Sequence, residues 1–153
     1  MSASVSIKTV EPRIIAAVHR SVMTGGVGAA WGAALDQVWA FLRSQPGLRA
    51  DGHNIFLYHH PAKDGDPIGA FFGVEVVREF APAGEVAPVK TPAGEVAMAT
   101  HRGSYDLLNQ AHDAIHVWVR ANNRSLAGKS WEIYGDPSPD PQRTETTVVY
   151  LLS

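Results

Sequence analysis

The stretch that decides the fold is Ile7–Arg20, IKTVEPRIIAAVHR, because it recurs without a gap as Val89–Arg102, VKTPAGEVAMATHR. Five residue types coincide at matched positions: Lys8/Lys90, Thr9/Thr91, Ala17/Ala99, His19/His101 and Arg20/Arg102. A repeat of this kind indicates one supersecondary unit present twice. The sequence therefore predicts two similar halves, covering about residues 5–80 and about residues 86–153.

Each half carries the pattern strand, helix, strand, strand. In the first half, the apolar run Ile14–Val18 predicts a buried strand. An apolar stripe then predicts a helix over about residues 27–43. The stripe consists of Trp31, Leu35, Val38, Trp39 and Leu42. Two further strands are predicted over residues 54–59 and 69–77.

The second half repeats this order. Its helical stripe consists of Leu108, Ala111, Ile115 and Trp118. Ser104 precedes the stripe and is a candidate helix cap, and strands follow over about residues 131–134 and 144–152. A Pro- and Gly-rich segment between the halves predicts a connection and a turn. We therefore expect a single domain over residues 1–153, with an α+β fold of about six strands. The duplicated units should share one antiparallel sheet with both helices on one face.

The composition excludes several classes of function. The chain has 153 residues, 45% of them hydrophobic and 18% charged, which is typical of a folded domain. It has no cysteine, so disulfides and thiolate metal sites are excluded, and its net charge of −2 argues against direct nucleic-acid binding. No signal peptide or membrane-spanning run is present. We therefore expect a cytoplasmic protein with no membrane partner.

A carboxylate breaks the symmetry of the two halves. Alignment of Tyr58 with Tyr134 places Phe56 against Glu132, which lies in an otherwise apolar strand. Successive strand residues face opposite sides, so Glu132 shares a face with Tyr134 and not with Trp131. If the helices cover this face, the charge is costly unless a partner or a cationic ligand compensates it or the carboxyl group protonates. Alternatively, Glu132 points to solvent or pairs with a nearby Arg or Lys, and the pattern leaves both readings open.

Two motifs and a closing strand carry a family resemblance. They are His101-Arg102-Gly103-Ser104-Tyr105 before the helix, Trp131-Glu132-Ile133-Tyr134-Gly135-Asp136-Pro137, and the last strand with Tyr150. Over essentially its whole length the chain resembles GyrI-like domains, also called AraC-type or BmrR-type effector-binding domains. The resemblance implies a central cleft that binds hydrophobic and often cationic compounds, without cofactor. It implies that Glu132 meets the ligand's positive charge and that Tyr150 lines the cleft.

The chain departs from the family at one acidic position. A second glutamate, often found two residues before the closing tyrosine, is replaced by Val148, and Glu75 of the first half is a candidate substitute. Four aromatic residues are candidate walls of the cleft: Trp39, Phe71, Tyr105 and Trp131. Phe71 and Glu75 share a strand face, so we expect them to line the cleft opposite Glu132.

Other roles stay open. Free-standing members of the family resemble hydrolases that open cyclopropane-bearing DNA-alkylating compounds, in which case Glu132 would be the catalytic residue that orients or activates water. Others resemble gyrase-modulating proteins, so gyrase or a regulator is a candidate partner. His112 and His116 have the spacing of the H-E-x-x-H zinc motif, but Asp113 replaces its glutamate and no third ligand follows. We therefore expect no metal site.

Overall fold

The computed structural model describes residues 4–23, 25–135, 140 and 143–153. Within these residues the chain forms eight strands in one antiparallel sheet, two α-helices and a short 3-10 helix at Tyr105–Leu107, which confirms the predicted α+β fold. In chain order the elements are β1 (Val5–Val10), β2 (Ile14–Val22), α1 (Val27–Arg43), β3 (Asn54–His59), β4 (Ile68–Val76), β5 (Val86–Lys90), β6 (Gly94–Arg102), α2 (Asn109–Ala121), β7 (Leu126–Tyr134) and β8 (Glu145–Leu152).

The two halves exchange an edge strand. The order of strands in the sheet is β1-β6-β8-β7-β3-β4-β2-β5, which is symmetric about the central pair β7 and β3. The first strand of each repeat crosses to the other half, so that β1 pairs with β6 and β5 pairs with β2. Neither half therefore completes its part of the sheet alone.

Short connections curl the sheet. Only residues 11–13 join β1 at one edge to β2 near the other edge, and residues 91–93 join β5 to β6 in the same way. Where these links meet, the Thr91 N–H donates to the Arg13 carbonyl over 2.8 Å, and the Arg13 N–H donates to Thr91 Oγ1 over 2.8 Å. The curl buries the face of the sheet that carries no helix, where Ile15, Ile55 and Val96 are fully buried.

The prediction of about six strands missed β1 and β5. Val5 and Ile7 of β1 alternate with Ser6 and Lys8, which is typical of a strand, but most of β1 is exposed and it adds little to the core. Strand β5 contains Pro88 and lies in the segment predicted as a connection. Proline is tolerated there because β5 is an edge strand, where one side of the backbone needs no partner.

Both helices cover the same face of the sheet but leave its centre open. Helix α1 has the predicted bounds and packs mainly on β2 and β4, while α2 packs mainly on β6. The capping prediction for Ser104 was wrong, because this residue precedes the 3-10 helix and its side chain makes no capping hydrogen bond. Among the described residues, neither helix is long and apolar enough to cross a membrane.

The close approach of β4 to β2 requires a glycine at position 73. A Cβ atom there would lie 2.7 Å from the Ala16 carbonyl oxygen and 2.9 Å from the Ala17 Cβ.

We expect Gly73→Ala to lower the free energy of unfolding by about 1–3 kcal/mol, as overpacking does. Urea denaturation measures this change. The matched control is Gly32→Ala in α1, where a Cβ meets no atom within 4 Å and alanine should stabilise the helix by about 0.5–1 kcal/mol. Equal stability of the two variants would contradict the packing argument.

Candidate functional site

A cavity of about 900 Å³ lies between α1 and α2, above the central strands β3 and β7. Alternate residues of the two strands face the helices and form its floor: Phe56, Tyr58, Ser130, Glu132 and Tyr134. The walls include Val27, Trp31 and Trp39 from α1, Leu108 just before α2, and Asn109 and His112 from α2. The cavity thus forms where the two halves meet, and its volume is in the range of small-molecule sites.

Glu132 lies on the helix-covered face and is only 6% exposed. Within the described residues, its carboxylate accepts hydrogen bonds from three side chains. The Tyr134 hydroxyl donates to Oε1 over 2.6 Å and the Tyr58 hydroxyl donates to the same oxygen over 3.1 Å. His112 Nε2 lies 2.7 Å from Oε2. The reading in which this residue points to solvent is therefore wrong.

These contacts keep the carboxylate charged. Burial raises the pKa of Glu132, but the hydrogen bonds from His112 and Tyr134, the electrostatic effect of His112 and the hydrogen bond from Tyr58 lower it by more. The pKa of Glu132 therefore lies below the ordinary value. A carboxyl group with such a pKa is ionised at neutral pH. The floor of the cavity therefore carries one negative charge at Glu132.

The neighbouring phenols stay protonated. Burial, followed by the charge of Glu132, raises the pKa of both Tyr58 and Tyr134. The same two causes raise the pKa of Tyr150 to about 12, although a hydrogen bond with Ser130 opposes them. Each hydroxyl therefore keeps its proton at neutral pH and can donate it in a hydrogen bond.

A hydrogen-bond chain leads away from Glu132 along the cavity. His112 Nε2 contacts the carboxylate, and its Nδ1 lies 2.8 Å from the Tyr150 hydroxyl. Tyr150 is hydrogen-bonded to Ser130, whose Oγ lies 2.7 Å from His60 Nε2. We refer to His60, Ser130, Tyr150, His112 and Glu132 as the hydrogen-bond chain.

Three imidazoles surround the ring of Tyr150. His60 stacks parallel to it with centroids 6.1 Å apart, while His112 and His116 meet it edge-on at 5.6 Å and 5.0 Å. Burial, followed by the nearby His112, lowers the pKa of both His60 and His116. These two rings are therefore neutral at neutral pH and add no positive charge to the site.

Aromatic rings line much of the remaining surface. Phe56 lies 4.9 Å from the Tyr134 ring and 6.2 Å from the Trp31 ring, measured between centroids. Tyr105 meets Tyr134 edge-on at 5.8 Å. At the far end, the guanidinium of Arg49 lies 4.8 Å from the centre of the Trp39 ring. Of the residues proposed from the sequence, Glu132, Tyr150, Trp39 and Tyr105 thus share one cavity.

Three other proposed site residues lie on the opposite face of the sheet, so their placement in the cleft was wrong. Trp131 is buried in the helix-free core, and Phe71 packs between His19 and His59 with centroid distances of 4.7 and 4.9 Å. The Glu75 carboxylate lies 3.5 Å from the guanidinium of Arg13. The physical reason is that successive residues of a strand face opposite sides, and the register pairs Phe56 with both Phe72 and Glu132, so that Phe71 and Trp131 face the other way. Glu75 therefore cannot replace the family's second glutamate at Val148, which is buried on the helix-covered face.

The sequence analysis did not identify His112, Tyr58, His60 and Ser130 as site residues. Signals for two of them were present, since Tyr58 is the repeat partner of Tyr134 and His112 follows Ala111 of the helical stripe. Among the described residues, no group of three or more His, Cys, Asp or Glu side chains is placed to hold a metal ion. Asp136 and Pro137 of the second motif lie outside the described residues.

The sequence matches the family model of the GyrI-like small molecule binding domain over residues 3–152. The chain belongs to this family. No curated protein sequence matches this GyrI-like domain significantly, but solved structures share its fold. The C-terminal domain of EcmrR superposes with a TM-score of 0.80 at 19% identity, covering 100% of this chain and 99% of that domain. The chain covers 58% of EcmrR in its complex with DNA.

Two further solved structures share the fold, one named for a bound ligand and the other as a hydrolase. SAV2435, solved bound to tetraphenylphosphonium, has a TM-score of 0.72 at 8% identity, over 98% of this chain and 94% of that one. A hydrolase encoded by lin2189 from Listeria innocua has a TM-score of 0.66 at 14% identity, over 98% and 92% of the two chains. At these identities the likeness concerns the fold alone.

The histidines beside the cavity should make the fold sensitive to acid. A histidine whose pKa is lower in the folded than in the unfolded chain binds fewer protons when folded, so the free energy of unfolding falls as the pH drops through the unfolded value of about 6.5. For His60 the folded pKa is lowered. We expect His60→Gln to lose less stability than the unchanged chain between about pH 7.5 and about pH 5.5. Urea denaturation at both pH values measures this, and an equal loss in the two chains would contradict it.

Proposed function

We propose that this GyrI-like domain binds a hydrophobic aromatic small molecule that carries positive charge, in the cavity between α1 and α2, for drug sensing, sequestration or resistance. The observation that carries the proposal is the ionised carboxylate of Glu132 at the floor of an aromatic cavity of about 900 Å³. A buried charge that is not neutralised by a protein cation favours a ligand of opposite sign.

The contacts of Glu132 support this reading. Its hydrogen-bond donors are two neutral phenols and the imidazole of His112, which forms an ion pair with it whenever the ring is protonated. No Lys or Arg pairs with Glu132 in the part of the chain that the structure describes. Arg49 lines the same cavity, but its Nε donates to the Gly52 carbonyl over 2.8 Å and its guanidinium stacks on Trp39. Arg49 therefore does not cancel the negative charge of Glu132.

The surrounding rings suit the same class of ligand. Faces of tyrosine, tryptophan and phenylalanine attract cations through their quadrupoles, by about 0.5–2 kcal/mol each depending on exposure. Phe56, Tyr58, Tyr134 and Trp39 all border the cavity. A chain of the same fold was solved with tetraphenylphosphonium, so this bulky aromatic cation is a suitable first probe.

We expect the domain to bind tetraphenylphosphonium and to bind tetraphenylborate, an anion of nearly the same shape, at least about tenfold more weakly. Glu132→Gln should weaken binding of the cation about tenfold or more, because the amide keeps the shape of the side chain but not its charge. Isothermal titration calorimetry measures both affinities, and circular dichroism checks that the variant is folded.

The matched control is Glu75→Gln. This substitution removes the same charge from the opposite face of the sheet, so the affinity for tetraphenylphosphonium should not change. The assignment of the cavity would be wrong if Glu75→Gln weakened binding as much as Glu132→Gln. It would also be wrong if the folded protein bound the anion as tightly as the cation.

A second candidate function is hydrolysis of cyclopropane-bearing DNA-alkylating compounds. The observation that favours it is the pair formed by Glu132 and His112, whose Oε2 and Nε2 atoms lie 2.7 Å apart beside the cavity. A carboxylate coupled to an imidazole can orient water and accept its proton. Water would open the strained carbon–carbon bond of the cyclopropane. Its oxygen would bond to one carbon of the broken bond, and its proton would be taken up by the conjugated system on the other side. The fold shared with a hydrolase from Listeria innocua agrees with this candidate.

If the domain is a hydrolase, incubation with an electrophilic cyclopropane compound should convert the compound to a product heavier by one water, over many turnovers. Glu132→Gln should abolish this conversion, since the amide cannot accept a proton from water. Mass spectrometry of the compound follows the reaction. Recovery of the bound compound unchanged would reject catalysis and leave binding as the function.

A further inference from the structure

The directions of the hydrogen bonds at the cavity floor follow from the ionised carboxylate. An ionised carboxylate can only accept hydrogen bonds. His112 Nε2, 2.7 Å from Oε2, must therefore carry a hydrogen. A neutral imidazole has one N–H, which leaves Nδ1 as an acceptor. Because Nδ1 lies 2.8 Å from the Tyr150 hydroxyl, Tyr150 donates its hydrogen to His112 whenever this imidazole is neutral.

The same reasoning extends along the hydrogen-bond chain. The phenol of Tyr150 has one hydrogen, which it gives to His112, so in its hydrogen bond with Ser130 the phenol oxygen accepts and Ser130 donates. The Ser130 oxygen then accepts from His60 Nε2 over 2.7 Å. With His112 neutral, every hydrogen in the chain therefore points toward Glu132.

The consequence is a floor without free hydroxyl donors. The hydroxyls of Tyr58 and Tyr134 also point to Glu132, and that of Tyr150 points to His112. These tyrosines therefore offer a ligand only their oxygen lone pairs and the faces of their rings. Of the roughly four acceptor positions of a carboxylate, three are used by described side chains, so room for a further donor remains at Glu132.

We infer that His112 is a specificity-determining residue. Because of His112, the floor of the cavity binds ligands with an N–H or O–H donor more tightly than ligands of the same shape that offer only an acceptor. His112 does so by holding the Tyr150 hydrogen away from the cavity. The inference rests on the proposed binding function and adds a ligand class to it: flat aromatic compounds with a hydrogen-bond donor, whether or not they are charged.

Two neutral probes of nearly identical shape test this selectivity. Carbazole carries an N–H donor where dibenzofuran carries an oxygen acceptor. We expect the domain to bind carbazole at least about fivefold more tightly, since one hydrogen bond is formed and an unpaired oxygen–oxygen contact is avoided. Equilibrium dialysis at about pH 8, above the ordinary histidine pKa of about 6.5, measures both affinities. Tetraphenylphosphonium is measured beside them.

Two substitutions separate the two contacts of His112. An asparagine amide ends near the place of Nδ1 and can still accept from Tyr150, whereas a glutamine amide ends near the place of Nε2 and can still donate to Glu132. His112→Asn should therefore keep the preference for carbazole. His112→Gln should reduce it to within about twofold, because the freed Tyr150 hydroxyl can then donate to dibenzofuran. A purely structural role of His112 would change the affinities for both probes together.

The outcomes distinguish this inference from the proposed function. Failure of the folded domain to bind tetraphenylphosphonium would overturn the proposed function. Binding of that cation without a preference for carbazole, including binding of neither neutral probe, would overturn the inference alone. The inference would also be wrong if His112→Gln kept the preference of the unchanged chain.

Discussion

The structure depends on keeping one carboxylate charged while it is removed from water. Glu132 achieves this through donors from both halves of the chain: Tyr58 on β3, Tyr134 on β7 and His112 on α2. Each contact replaces a hydrogen bond to water, and loss of one would leave a buried charge under-solvated. The position of α2 relative to the central strands is therefore coupled to the ionisation of this side chain. The cavity exists because the helices cover the outer strands and leave this central group accessible to a guest.

Rigidity and polarity have the same origin in this site. The phenols and the imidazole that solvate Glu132 are themselves packed against aromatic neighbours, such as Phe56 beside Tyr134. Their hydrogens are committed to acceptors within the protein, so the polar pattern is set before a ligand arrives. Preorganisation of this kind lowers the cost of binding, since few groups need to be ordered or desolvated afterwards.

The sequence predicted those parts of the fold that local patterns determine. Helix α1 and strand β3 have the predicted bounds, because their apolar periodicities are clear. Strands β1 and β5 were missed, since their partners come from the other half of the chain. Comparison of the repeats singled out Glu132, while Phe71 and Trp131 were proposed as walls of the cleft although both lie on the helix-free face. The partners of His112 could not be assigned from the pattern, because they are defined only by the packing of α2 on the sheet.

The central strand pair shows what covalent duplication permits. Phe56 lies directly across from Glu132 at the point where β3 meets β7, and the two positions are equivalent in the repeats. In a symmetric dimer of one repeat, both positions would hold the same residue: two carboxylates facing each other at a repulsive distance, or two rings and no charge. Joining the repeats in one chain lets the two positions differ. A single polypeptide can thus place one anion beside its pseudo-symmetry axis, whereas a dimer of two identical subunits cannot.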